Sequence, residues 1–94
     1  MTVTKENKVF LEGQIEYYIS EAQSYREMAQ EYSLKIDSVP DTTFGIIIGC
    51  IYSSFLQTYS NQKLTPTVQD VQEFTEIIMM KSSAIMDAIK GQNN

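Results

Sequence analysis

Apolar residues recur along the first third of the chain at Leu11, Ile15, Tyr18, Ala22, Tyr25, Ala29, Tyr32 and Ile36, in steps that alternate between four and three residues. A 3.5-residue period held for more than three heptads predicts one unbroken helix from about Thr4 to Ile36, with a single seam turned toward a partner helix. Glu, Gln, Ser, Arg and Lys fill most positions between, and Glu31 and Lys35 are spaced for an i,i+4 pair. Tyr rings in the seam need acceptors or water for their hydroxyls, and the Ala positions admit a partner backbone close beside them.

Two turn-forming clusters, Asp37-Ser38-Val39-Pro40-Asp41 and Ser60-Asn61-Gln62-Lys63-Leu64-Thr65-Pro66, cut the chain into three segments. The second segment, residues 42–59, is apolar nearly all round between Ile46 and Tyr52, the pattern of a buried helix. Gly45, Gly49 and Ser53 recur in it every four residues. Each glycine costs about 1 kcal/mol of helix propensity relative to Ala. Two in one helix therefore point to close approach of another backbone. The third segment, residues 66–90, opens on Thr65 as N-cap with Pro66 at the first helical position, or on Thr67 and Asp70 as a capping box. Gly91 stops it, and residues 91–94 form a frayed tail. Val71, Phe74, Ile78, Ile85 and Ile89 share one face of this helix, with Asp70, Glu73 and Glu76 on the other. Ile77, Met80 and Ala84 lie off the main stripe at i, i+3, i+7 and suggest a contact patch.

No stretch alternates with the period of a strand, so the pattern predicts a single all-α domain over residues 1–94. Its architecture is a three-helix antiparallel bundle whose first helix outreaches the second by about 20 Å. That overhang predicts dimerisation into a larger bundle, with Leu11, Ile15, Tyr18, Ala22, Tyr25, Gly45, Gly49 and Ser53 in the dimer seam.

Composition narrows the chemistry. The chain has 94 residues, 43% hydrophobic and 20% charged, with 7 basic residues against 12 acidic ones and a net charge of −5. Scattered bases in an acidic chain argue against nucleic-acid binding. The absence of His removes Ser-His-Asp and Cys-His nucleophiles and His-ligated metals. The one cysteine, Cys50, reads as a small core residue in a reducing, cytoplasmic setting. The Met1–Glu6 stretch lacks the apolar run of a signal peptide. The strongly apolar run Phe44–Leu56 holds about thirteen residues, short of the roughly twenty of a bilayer crossing.

One enzymatic arrangement is compatible with these residues. Asp70, Glu73 and Glu76, facing Glu12 and Glu16 or Glu27 and Glu31, resemble the paired carboxylates of the all-α nucleotide pyrophosphohydrolases. That resemblance implies a Mg²⁺ ion held between helices by Asp70, Glu73 and Glu76. Here the first pair is spaced Glu-xxx-Glu where that family has Glu-x-x-Glu, and no basic cluster accompanies it. The preferred expectation is a solvated acidic face and no cofactor. The chain then reads as a non-enzymatic protein–protein interaction or scaffold module acting as a homo-oligomer. Phe10, Tyr17, Met28, Ile77, Met80 and Ala84 are its candidate partner contacts.

Overall fold

The computed structural model describes residues 3–91. Among them there are four helices and no strand: α1 (Lys5–Ser20), α2 (Ala22–Gln30), α3 (Val39–Asn61) and α4 (Val68–Lys90). The expected single first helix is thus two helices, broken at Glu21 (φ −104°, ψ 11°). The Ser20 hydroxyl donates to the Tyr17 carbonyl at 2.6 Å, a back-bond that competes with the helical ladder at that point. Because the turn occupies a single residue, the apolar phase runs through it undisturbed, and periodicity alone could not register the break. The helical rise also ends at Gln30 rather than Ile36. Glu31 and Tyr32 donate to Met28 and Ala29, and a 3₁₀ turn at Ser33–Lys35 leads into the loop.

Local capping accounts for the other boundaries. Thr4 Oγ1 accepts from the Asn7 N–H at the start of α1. Ser38 Oγ accepts from the Asp41 N–H, and Pro40 lies in the first turn of α3. The C-terminus of α3 closes in a Schellman motif, with Leu64 N–H donating to Tyr59 O and Lys63 N–H to Ser60 O. Its left-handed residue is Lys63 (φ 58°), where glycine is the usual occupant. Of the two caps the sequence allowed for the last helix, α4 uses Thr67 and Asp70. Thr67 Oγ1 accepts from the Asp70 N–H at 3.0 Å, and Asp70 Oδ2 from the Thr67 N–H at 2.8 Å. Gly91 (φ 74°) ends it as expected. The tail residues 92–94 lie outside the described residues.

Helix α3 runs antiparallel to both α1 and α4. The amides of Asn7 and Gln62 exchange two hydrogen bonds (3.2 and 2.9 Å) between the start of α1 and the end of α3. The rings of Phe55 and Phe74 lie 4.9 Å apart and tilted, with Tyr59 4.9 Å from Phe55 and Tyr52 5.1 Å from Phe74. The core combines Leu11, Ile15 and Ala22 with Ile47, Ile51 and Phe55 of α3 and Phe74, Ile78, Ile85 and Ile89 of α4. At the far end, Gln23 Nε2 donates to the Ala88 and Ile89 carbonyls and an Arg26 guanidinium N–H to Ile89 O. These bonds satisfy orphan carbonyls at the C-terminus of α4 and put a cation at the negative end of its dipole.

With the first segment split, the expected overhang disappears. Leu11, Ile15 and Ala22 are each 1% exposed and Ala29 is 0% exposed, all within one protomer. The part of the seam that was to be kept dry by a second copy is covered by α3 and α4 of the same chain.

Two substitutions follow from this packing. Phe55→Ala removes the ring at the centre of the aromatic cluster and costs about 3–5 kcal/mol in urea unfolding. Lys63→Gly relieves the left-handed position and raises stability by roughly 0.5–1 kcal/mol in the same assay.

Candidate interaction face

Helix α3 presents two unlike sides. Thr43, Ile47, Ile51, Phe55 and Tyr59 are buried along one. Gly45, Gly49, Ser53 and Gln57 are exposed along the other, spaced four apart. A Cβ placed on Gly45 or Gly49 meets nothing within 4 Å, so neither glycine is required by packing inside the protomer. Half-buried side chains wall the glycine stripe, Ile46 and Cys50 on one flank and Ile48 and Tyr52 on the other. Between Asp41 and Lys63 the chain has no charged residue.

The expectation that this apolar stretch is too short for a bilayer crossing is revised. As Val39–Asn61, α3 is long and apolar enough to cross a membrane, and 22% of its most apolar stretch is buried in the protomer. The same helix supplies Ile47, Ile51 and Phe55 to the core, so the fit to a bilayer is one of length and composition only.

Aromatic residues of α1 border the face. Burial pushes the Tyr18 phenol up to about 12, helped by the Cys50 thiol and the Tyr25 hydroxyl beside it. Tyr17 stands edge-on to Tyr18 with centroids 5.1 Å apart. Tyr17 is 52% exposed, and Phe10 lies two turns earlier on the same outward side of α1. The structure thus groups Tyr17, Tyr18 and Tyr25 in one aromatic row along α1 and α2.

The remaining predicted contacts scatter. Tyr25 packs half-buried against the core beside Tyr18. Met28 is exposed on α2. Met80 is 83% exposed and Ala84 is exposed on α4, but Ile77 is buried at 9%. The proposed Ile77–Met80–Ala84 patch is therefore not one surface: at that point α4 turns Ile77 inward toward the core, and Met79 is the exposed neighbour of Met80.

The carboxylates do not assemble as the enzymatic resemblance requires. Asp70 is committed to the capping box, and Glu73 Oε1 accepts from the Val3 N–H at 3.2 Å. Glu76 is exposed, and it shares with Glu73 an open hollow of about 500 Å³ that the Lys8 amine also lines. Among the described residues no group of three His, Cys, Asp or Glu side chains is set to hold a metal ion. A second open hollow, about 470 Å³, is walled by the polar side chains of α2 from Gln23 to Glu31.

Several structural residues had no signature in the sequence. The Asn7–Gln62 amide pair and the Gln23 and Arg26 caps join residues far apart in the chain, and a polar residue on a helix surface gives no sign of its distant partner. Cys50, read as a core thiol, is half-buried on the flank of the open face. Compared with protein-family models, curated proteins and solved structures, the chain matches none.

The tyrosines supply a pH test. Burial and the Asp70 carboxylate also raise the Tyr59 phenol. An acid whose pKa is higher in the folded state favours folding below its unfolded value, near 10, and that stability is lost as pH rises through the folded value. Stability therefore declines above pH 10 and falls through about 12 as Tyr18 ionises. Titration of tyrosinate absorbance should show late-ionising phenols that are lost one at a time in Tyr18→Phe and Tyr59→Phe; six tyrosines titrating together near 10 would contradict the assignment.

Proposed function

We propose that this chain is a non-enzymatic helical module that works by protein–protein association, first of all with itself. The observation that carries the reading is the outward side of α3, a charge-free helix face whose exposed Gly45, Gly49 and Ser53 lie between the half-buried Ile46, Ile48, Cys50 and Tyr52. Burying apolar surface drives association. A helix that keeps two glycines without an internal packing reason accepts about 1 kcal/mol of lost propensity for each.

The acidic balance supports protein rather than nucleic-acid partners, because phosphate backbones are held by clustered Lys and Arg. The capping box holds Asp70 and the Val3 contact holds Glu73 in structural roles, which favours association over hydrolysis. A lone half-buried thiol suits a reducing, cytoplasmic setting.

Light scattering on the purified chain tests the reading. At micromolar concentration the mass is expected to be that of two copies, falling toward one on dilution. A single-copy mass across the micromolar range overturns it.

A further inference from the structure

We propose that residues 22–35, helix α2 with the turn that follows it, form a strap that opens and closes over one end of the bundle as a single unit while α1, α3 and α4 stay folded. The motion lies within one protomer and does not depend on self-association.

Both ends of the strap are breaks in regular structure. At Glu21 the backbone leaves the helical region (φ −104°, ψ 11°), and no side chain caps the start of α2 there. At the other end the 3₁₀ turn gives way to extended backbone at Ile36 (φ −132°, ψ 157°), and Ser38 then starts α3 with its own cap. Rotation at these two points lifts α2 without breaking a helix.

Between the breaks little apolar surface is committed. α2 buries two side chains, Ala22 and Ala29, each a single methyl, and Tyr25 is half-buried. By contrast α1 sinks Leu11 and Ile15 into the core, and α4 sinks Phe74, Ile77, Ile78, Ile85 and Ile89. A helix of nine residues does not sustain itself in water, so α2 depends on the α3 and α4 surfaces that it rests against. The element that gains least from burial is the one that opens locally, ahead of the global transition.

Three side-chain bonds fix the closed position. Gln23 Nε2 donates to the Ala88 carbonyl at 2.7 Å and to the Ile89 carbonyl at 3.1 Å, and an Arg26 guanidinium N–H donates to Ile89 O at 2.9 Å. All the acceptors belong to the last turn of α4, which has no further helical turn to satisfy them. Gln23 is exposed and Arg26 half-buried, so water replaces these bonds once the strap lifts. Opening uncovers the end of the core where Ile47, Ile85 and Ile89 are 0% exposed in the closed form.

Hydrogen exchange of the full chain, followed by mass spectrometry, tests the strap with the wild type and two variants. In the wild type the amides of residues 25–32 are expected to exchange at least roughly a hundredfold faster than the slowest amides of α1, α3 and α4. Thr67→Ala removes the cap of α4, outside the strap, and so weakens the closed and open forms alike. It is expected to speed the slowest amides of α3 and α4 about fivefold or more and to leave the strap within about twofold. Gln23→Ala combined with Arg26→Ala removes the three bonds while installing the best helix former, so faster exchange can only come from the lost bonds. A rise of about tenfold in the strap is expected. A strap that exchanges as slowly as α3 and α4, or that speeds up with them in Thr67→Ala, overturns the proposal. Unchanged strap exchange in the double variant overturns the hold assigned to the end of α4. The wild-type rates decide between local and global opening even where a variant does not fold.

Discussion

The buried stripe of α3 is the constraint on which the rest of the molecule depends. Thr43, Ile47, Ile51, Phe55 and Tyr59 follow one another at four-residue intervals. Four residues exceed one helical turn by about 40°, so a stripe with this spacing winds around its helix instead of running straight. No single straight helix can stay over it from end to end. The Asn7–Gln62 amides hold α1 on the C-terminal half, Tyr18 reaches Cys50 at the middle, and α2 continues along the N-terminal half. The turn at Glu21 separates the two elements that cover the stripe. The side chains of the first segment then find their burial inside one protomer.

Winding also explains why α3 is left half open. The exposed Gly45, Gly49, Ser53 and Gln57 share the four-residue spacing of the sealed stripe, so the open side winds around the helix with it. That opposite side carries glycine, serine and glutamine in place of charge. A solvent-facing helix ordinarily carries Lys and Glu there, as α1 and α4 do. The aromatic cluster of Tyr52, Phe55, Tyr59 and Phe74 packs α3 against α4.

How far the sequence could be read differs from element to element. The all-helical class, the two loop regions, the Gly91 stop and the Thr67–Asp70 box were legible, because period and capping are local signals. Gly45, Gly49 and Ser53 were legible as a stripe without a stated owner, since spacing shows that residues share a face and not what lies opposite. The break at Glu21 was hidden because it keeps the phase of the apolar repeat. Ile77 was assigned to an outer patch on angular position alone, and the packing of α4 against α1 and α3 brings it inside. Arg26 and Gln23 looked like ordinary surface residues; their role depends on where α4 ends in space. Lys63 in a left-handed turn contradicts the glycine expectation, and the Schellman bonds around it show that the chain tolerates the strain to close α3.

The bonds from Gln23 and Arg26 to the end of α4 bear on the order in which the chain organises. Nine residues are too few to hold a helix in water unaided. α2 therefore has no independent existence: it becomes helical only once the last turn of α4 offers its carbonyls and the first half of α3 offers its apolar side. The α3–α4 hairpin, joined by a short loop and its own packed rings, is the scaffold against which α2 is held.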